Sequence, residues 1–354
     1  MSKAAELAAL IGSGQAQGDK NLIINGAMQV AQRGTSHTTS VNTGYHTVDR
    51  IKIPGSSNVG QWTSSQDSDA PSGFTKSFKL DCTTADTSLS ASDHYGFQYN
   101  PEGFHMDSVG KGTSGAKSMT LSFYIKATVT KTMVVEFTDA SNSRHVNFAV
   151  TPSTTNTWER VSLSIPADTS GSFNQGTNSS AGEINFWLGA GTTYTSGSLQ
   201  SAWTSRVAAN IMAGVSNWAD STSNAIWITG LQLEIGDVAT AFEHESYAET
   251  LQKCQRYFWQ PEGGANGTGV YGGGANGRAT LTFPVLLRSA PTLTYLSGGS
   301  TTNNSGLDRT VNGLSSSWSL DNHSASIQLT FTATATGGVA FVYKNVSMQV
   351  SAEL

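Results

Sequence analysis

Short runs of alternating apolar and polar residues, broken by Gly, Asn, Asp and Ser, fill the chain from Asn21 to about Glu245. In the run LSFYIKA, the apolar and polar residues fall on opposite faces, because successive side chains of a β-strand alternate in direction. No amphipathic helix separates the runs, so they predict an antiparallel β-sandwich rather than βαβ units. The runs occupy 21–24, 74–80, 119–127, 132–137, 145–150, 159–165, 183–188 and 225–234.

A short helix is predicted before the sandwich, at residues 2–11. Leu7, Ala8 and Ile11 share one face of this helix, which makes them candidates for attachment or oligomerisation. Residues 12–20 have the Gly-rich composition of a flexible linker. We therefore expect an attachment helix and linker at 1–20, the sandwich at 21–245, a helix and Gly-rich hinge at 246–277, and a smaller C-terminal β domain at 278–354.

The helix after the sandwich has a clear beginning and one apolar stripe. Ser246 and Glu249 have the spacing of a capping box. Tyr247, Leu251, Cys254 and Phe258 follow at the spacing of a single helical face, which predicts that Cys254 is a packed core thiol. The only other cysteine, Cys82, lies far away in the sequence, so we expect two unpaired thiols.

The chain carries little charge, and this excludes several classes of protein. Charged residues make up 13% of the sequence, against about 25% in an ordinary soluble domain. The sequence pI near 5.8 argues against nucleic-acid binding. No apolar stretch approaches the roughly 18 residues of a membrane span, and the N-terminus lacks the features of a signal peptide. We therefore expect neither membrane insertion nor export by the secretory route.

The sequence offers no motif for catalysis. Patterns such as G-x-S-x-G, H-E-x-x-H, the P-loop and the EF-hand are absent from the sequence. Six carboxylates lie on separate predicted loops and strands, and the sequence leaves open whether two of them meet across a sugar. We predict no catalytic residue, no metal and no cofactor. The six are Glu102, Asp107, Glu136, Asp139, Glu183 and Asp220.

Aromatic residues among amides and hydroxyls indicate binding. Sugars pack against flat rings while polar side chains hold their hydroxyl groups. Two segments, 93–107 and 187–203, have this composition, and Tyr99 and Tyr194 are expected to be exposed at loop tips. A core position remains the alternative for each ring. The candidate ligand-binding residues are Tyr95, Tyr99, Glu102, Tyr194, Trp203 and Trp218.

Several phrases resemble the tail fibre proteins of tailed bacteriophages. They are MSKAAELAALIGSG, NLIINGAMQVAQRGTS, YHTVDR, SFYIKA, TWERVSLSIP and LQLEIGDVATAFEHESYAETLQKCQRYF, in that order along residues 1–258. The central part also resembles jelly-roll carbohydrate-binding modules that open with N-L-I-x-N-G. Gln29 and Val30 depart from the acidic residue usual there, so a structural calcium ion is not carried over.

The resemblance implies a virion component, assembled in the host cytoplasm. It implies a homotrimer that attaches to a tail or baseplate protein through residues 1–12 and binds a host surface glycan or outer-membrane protein. Two other roles stay open at this point. One is a structural adaptor fibre that carries another receptor-binding protein, and the other is a polysaccharide depolymerase.

The homotrimer is directly testable. Light scattering of the purified chain should give a mass near three times the 37.2 kDa of one chain. A clean monomer would contradict the trimeric architecture.

Overall fold

The structure, a computed structural model, describes residues 20–39, 43–54, 59–303, 305–306, 308–335 and 337–354. The chain divides into two compact units. The sandwich unit comprises the described residues up to 29 and those within 36–44 and 51–245, and the barrel unit comprises 30–35, 45–50 and 246–354. The predicted N-terminal helix, with Leu7, Ala8 and Ile11, lies outside the described residues.

Two antiparallel sheets form the sandwich unit. Sheet 1 has the strand order β1-β4-β5-β13-β7-β10, and sheet 2 has the order β12-β9-β8-β11-β6-β3-β2. The chain passes repeatedly from one sheet to the other, as in a jelly roll. The strands are β1 Ser36–Thr39, β2 Gly44–Tyr45, β3 Ile51–Ile53, β4 Gln61–Asp67, β5 Ser77–Thr84, β6 His94–Tyr99, β7 Met119–Ala127, β8 Met133–Asp139, β9 Arg144–Val150, β10 Glu159–Ile165, β11 Glu183–Ala190, β12 Thr204–Ser205 and β13 Ala225–Ile235.

The core of the sandwich lies between the two sheets and is rich in aromatic rings. Phe78 of sheet 1 lies 5.2 Å from Phe97 of sheet 2, measured between ring centroids. Phe123 of sheet 1 and Phe186 of sheet 2 are 5.5 Å apart. All four rings are at most 2% exposed. The predicted all-β, antiparallel sandwich is therefore confirmed, and β7 and β10 have the predicted bounds.

The predicted first strand, 21–24, is wrong, because this segment forms turns instead. The side chain of Asn21 explains the difference. Its Nδ2 donates to the Leu231 carbonyl at 3.1 Å, and its Oδ1 accepts from the amides of Ile23 and Leu233 at 3.0 Å. The Asn21 amide in turn donates to Glu243 Oε2 at 2.7 Å. These bonds tie the beginning of the sandwich to its last strand and to the segment that leaves it.

A buried ammonium group organises one end of the sandwich. Lys111 is 1% exposed, and its Nζ lies 2.5 Å from Asp139 Oδ2 and 3.1 Å from Asp168 Oδ2. It also donates to the carbonyl oxygens of Ser170, at 3.0 Å, and Gly171, at 2.8 Å. Carboxylate and carbonyl oxygens are the ligands that Ca²⁺ prefers, and here an ammonium ion fills their centre. Within the described ranges, no group of three or more His, Cys, Asp and Glu side chains is placed to hold a metal ion.

The barrel unit contains a closed antiparallel barrel of β15, β19, β18, β17 and β20. Val342 of β20 is partnered by Thr268 of β15 on one side and by Thr302 of β17 on the other, which closes the barrel. Tyr271, Phe331 and Phe341 fill the interior. The strands are β14 Phe258–Trp259, β15 Ala265–Thr282, β16 Thr292–Ser297, β17 Ser300–Asn303, β18 Asp308–Leu320, β19 Ser324–Ala335 and β20 Ala340–Ser351.

The Gly-rich stretch after 260 is part of the barrel, so the predicted hinge is wrong. Strand β15 passes through it and crosses the predicted boundary at 277/278. A Cβ atom on Gly269 or Gly277 would lie 2.5 or 2.6 Å from the ring of Phe341. Such contacts are too close for real atoms, so these glycines make room for a core ring rather than for movement.

Helices are few and short. The four-residue α1 spans Thr192–Thr195, and α2 spans Tyr247–Gln255. Short 3₁₀ turns lie at Gly103–Val109, Ala140–Asn142, Ala208–Asn210 and Trp218–Asp220. In the part of the chain that the structure describes, no helix has both the length and the apolar character to cross a membrane.

Replacing Lys111 by Met tests the buried ammonium. The change leaves Asp139 and Asp168 buried with one counter-ion fewer, so we expect a loss of about 3–5 kcal/mol in the free energy of unfolding. Urea unfolding followed by thiol labelling of buried Cys82, in a Cys254→Ser background, reports on the sandwich unit alone.

The matched control is Lys79→Met. Lys79 and Asp81 form a salt bridge of 3.0 Å whose side chains are 22% and 40% exposed, so the loss should stay within about 1 kcal/mol. Equal losses in the two variants would contradict a special role for Lys111.

Candidate functional site

Four of the six predicted ligand-binding residues are buried, so their assignment is wrong. Tyr95 stacks on Trp62 at 4.6 Å, and the Tyr99 hydroxyl accepts a hydrogen bond from the Ile24 amide at 3.0 Å. Trp218 is 0% exposed and donates through Nε1 to the Thr132 carbonyl. These rings pack in the core, which was the alternative for each ring.

Glu102 is also buried, at 1% exposed, and forms an isolated bridge with Ser180. A side chain with so little accessible surface cannot contact a ligand outside the protein.

The two remaining predicted rings, Tyr194 and Trp203, are half-buried. Tyr194 packs edge-on against His94 at 5.1 Å. Trp203 packs against Phe137 at 5.7 Å and donates through Nε1 to the Pro166 carbonyl at 2.8 Å. Among the described residues, the ring partners of the two differ, since Tyr194 packs on His94 and Trp203 on Phe137 and Phe173. The predicted rings therefore do not stack into one site.

Two of the candidate carboxylates do come close together. Asn185 Nδ2 lies 3.4 Å from Glu136 Oε2 and 3.2 Å from Glu183 Oε2. Glu136 is fully buried and accepts bonds from His145, at 2.8 Å, and from Arg206, at 2.8 and 3.2 Å. A carboxylate enclosed in this way lacks the access to substrate that glycoside hydrolysis requires.

The pKa of Glu136 points in the same direction. Burial raises the pKa, but hydrogen bonds from His145, Arg206 and Trp187, together with the Arg206 charge, outweigh it, so the pKa lies below the ordinary glutamate value. A general acid in a glycosidase needs a raised pKa. Glu136 therefore serves as the anchor of a buried polar cluster.

A candidate site in the barrel unit is a polar cleft of about 600 Å³. Helix α2, residues 31–32, the turn after β14 and strand β20 all contribute to its walls. Two partly exposed aromatic rings and several amides face it. The lining residues are Ala31, Gln32, Tyr247, Leu251, Gln255, Trp259, Gln260, Pro261, Glu262, Gly263, Gly264, Asn345 and Ser347.

Helix α2 presents the first ring. Ser246 Oγ accepts from the Glu249 amide, and Glu249 Oε2 accepts from the Ser246 amide, so the predicted capping box is confirmed. Cys254 is 0% exposed, as predicted from the apolar stripe, but Tyr247 at the other end of the stripe is 56% exposed. The stripe therefore leaves the core at its first turn and brings Tyr247 into the cleft.

A tight turn forms the opposite wall. The Gly264 amide donates to the Pro261 carbonyl at 3.0 Å, and Gly263 has a φ of +71°, which glycine adopts without strain. Trp259 precedes this turn and packs on Phe283, 6.3 Å away. The turn thus fixes a ring, an amide and the carboxylate of Glu262 at the rim.

Behind the cleft, Gln32 is held by Asp49. The backbone amide of Gln32 donates to Asp49 Oδ1 at 3.0 Å. The side-chain Nε2 of Gln32 donates to Asp49 Oδ2 at 2.5 Å and to the Phe258 carbonyl at 2.7 Å. Burial raises the pKa of Asp49 to about 6, although the charge of Arg33 and the bonds from Gln32 lower it.

Asp49 belongs to a buried arginine–carboxylate cluster, composed of Arg33, Asp49, Arg50 and Glu353. Arg50 is 1% exposed, pairs with Glu353, and lies 3.6 Å from the ring centroid of Tyr257. Arg33 Nη2 lies 3.1 Å from Glu353 Oε1, and the guanidinium lies 3.4 Å from the ring centroid of Phe258. The cluster fixes the chain on both sides of the cleft, because it joins 30–35, 45–50 and the C-terminal residues to the end of α2.

Sequence reasoning missed the cleft, although one signal was present. The run QRYFWQPEGG places two amides, a tryptophan and a turn directly after a capped helix. Gln32 and Asn345 enter the cleft from distant parts of the chain, and no spacing in the sequence indicates that.

Comparisons with known proteins identify no family. No family model and no curated protein matches the chain. Among solved structures, the enzymatically active domain of bacteriophage CBA120 tailspike protein 4 aligns with 14% identity and a TM-score of 0.31. The alignment covers 61% of this chain and 22% of that one. The CBM22-1 xylan-binding domain of Paenibacillus barcinonensis Xyn10C aligns with 8% identity and a TM-score of 0.30, covering 63% of this chain and 99% of that one. The family 11 carbohydrate-binding module of Clostridium thermocellum Lic26A-Cel5E gives 10% identity and a TM-score of 0.27, covering 63% and 97%.

The pKa of Asp49 predicts a pH-dependent stability. A carboxyl group whose pKa is raised from 3.8 to about 6 stabilises the fold most at low pH, and this contribution is lost as the pH rises through about 6. Between pH 5 and 7.5 the free energy of unfolding of the barrel unit should fall by on the order of 1 kcal/mol from this group. Asp49→Asn should remove this dependence.

Thiol labelling of Cys254 during urea unfolding, in a Cys82→Ser background, follows the barrel unit. Asp81→Asn is the control, since its side chain is 40% exposed. An unchanged pH dependence in Asp49→Asn would show that another group is responsible.

Proposed function

We propose that the chain is a phage tail fibre protein that binds a host surface glycan non-covalently through the cleft of the barrel unit. The observation that carries the proposal is the lining of the cleft, where the rings of Tyr247 and Trp259 lie among amides. Such rings pack against the apolar faces of sugars, and amides exchange hydrogen bonds with their hydroxyl groups. The phrases that resemble tail fibre proteins support the biological setting.

The lining also favours one class of glycan. Among the described residues that form the cleft, Glu262 is the single charged side chain. Acidic sugars are usually held by Arg or Lys, and a nearby carboxylate repels them. We therefore propose a neutral glycan, with N-acetylated sugars included because their amide groups pair with side-chain amides.

Weak sites become effective when several act together. One cleft of this size contacts only a few sugar rings, so the affinity of a single site is modest. A homotrimer attached by residues 1–12, present in several copies per particle, would multiply this affinity by about 10²–10⁴.

Tyr247→Ala tests the cleft with little cost to folding, because the ring is 56% exposed. We expect a loss of binding of about 5- to 30-fold to a chip that carries neutral oligohexoses and N-acetylhexosamine oligomers, since a stacked ring contributes about 1–2 kcal/mol. Phe104→Ala is the matched control, because Phe104 is 50% exposed and lies in the sandwich unit.

Other outcomes would contradict the proposal. Equal losses in the two variants would place binding elsewhere, and tight binding to uronic acid oligomers on the same chip would overturn the neutral class. If the chain neither binds cells nor competes with the virus, the structural adaptor fibre is the better description. Release of reducing ends from host polysaccharide would show a depolymerase.

A further inference from the structure

We propose that Asp49 is a positioning residue for the glycan cleft and that its ionisation sets the affinity of the cleft through Gln32. This inference rests on the proposed function for its biological meaning. Gln32 connects the cleft to the buried cluster. It lines the cleft, and it donates one hydrogen bond from its backbone and one from its side chain to Asp49.

The direction of the Gln32 side chain follows from its partners. Both neighbours of Nε2, Asp49 Oδ2 at 2.5 Å and the Phe258 carbonyl at 2.7 Å, are acceptors. The NH₂ group must therefore point inward, and the side-chain carbonyl oxygen is the end of the amide left for a ligand. In this state Gln32 offers the glycan an acceptor for a sugar hydroxyl or an N-acetyl N–H.

The strength of this arrangement depends on the charge of Asp49. A hydrogen bond to a carboxylate is roughly twice as strong as one to a neutral group. When Asp49 takes up a proton, the bonds from Gln32 weaken and the carbonyl oxygen is held less firmly. Because the pKa of Asp49 is about 6, this change falls between pH 5 and 7.5.

The groups that face Asp49 keep this change local. Arg33 Nη1 lies 3.7 Å from Asp49 Oδ1 and lowers the pKa of Asp49, whereas the charge of Glu353 raises it. Burial raises the pKa of the nearby Cys254 thiol well above its ordinary value, so this group stays neutral. The Arg33–Glu353 pair, 3.1 Å long, does not involve Asp49, so we expect it to persist when Asp49 is neutral. The cluster therefore stays assembled while the hold on Gln32 weakens.

Stability and affinity should consequently respond to pH in opposite directions. Acidification from pH 7.5 to 5 removes a buried charge, which stabilises the barrel unit, yet it weakens glycan binding. Partial unfolding at low pH would lower both quantities together. This contrast separates a positioning role from a merely structural one.

The experiment uses the full chain with ¹⁵N-labelled glutamine. We expect the side-chain amide signal of Gln32 to titrate with a midpoint near pH 6, and Asp49→Asn to abolish this titration. On the chip of neutral and N-acetylated oligosaccharides, the wild type should bind about fivefold more weakly at pH 5 than at pH 7.5, which corresponds to about 1 kcal/mol. Asp49→Asn should show the weaker binding at both pH values.

Two further variants control the interpretation. Glu262→Gln removes the one carboxylate that lines the cleft and should keep the pH dependence, whereas Gln32→Ala should lose it. A Gln32 signal that does not titrate, or a titrating signal with binding independent of pH, would overturn the inference. If no oligosaccharide binds at any pH, the proposed function fails, and the Gln32 signal alone then decides whether Asp49 holds the amide.

Discussion

The buried pairing of Arg33 and Arg50 with Glu353, in the cluster that also contains Asp49, is the interaction on which the barrel unit depends. Four charges removed from water are costly unless each finds a partner, and breaking one such pair typically costs about 3–5 kcal/mol. Here the guanidinium groups also lie on the rings of Tyr257 and Phe258. The cluster therefore fixes the end of helix α2, the start of β14 and Gln32 in one arrangement, and the cleft is the surface that results.

The resemblance to tail fibre proteins acquires a physical meaning from this arrangement. Three of its phrases contain Arg33, Arg50 and Cys254, which lie in or beside the cluster. They also contain Asn21 and Glu243, which tie the two ends of the sandwich together. These residues hold the scaffold and are not among those that line the cleft. Residues of these phrases thus make contacts between distant parts of the chain. The lining of the cleft includes some residues of the phrases and others from outside them.

Much of the fold could be predicted because it depends on local patterns. Period-two alternation located β7 and β10 to the residue, and the Ser246–Glu249 spacing located the start of α2. The failures occurred where distant contacts outweigh local preference. Asn21 bonds to the last strand of the sandwich, so residues 21–24 form turns instead of the predicted strand. Gly277 makes room for the ring of Phe341 instead of providing a hinge.

The site could not be predicted in the same way. Composition cannot distinguish a buried Tyr99 from an exposed Tyr247, because exposure depends on which face another segment covers. The low fraction of charged residues, 13%, did indicate a binding surface of neutral polar groups. The lining of the cleft agrees with this, because it contains amides and rings with one carboxylate.

Hydrogen–deuterium exchange of the full chain, with and without host surface polysaccharide, tests the location of the site most directly. Binding through the cleft predicts added protection in residues 31–32, 247–264 and 345–347. Protection confined to the segments 93–107 or 187–203 of the sandwich unit would contradict it.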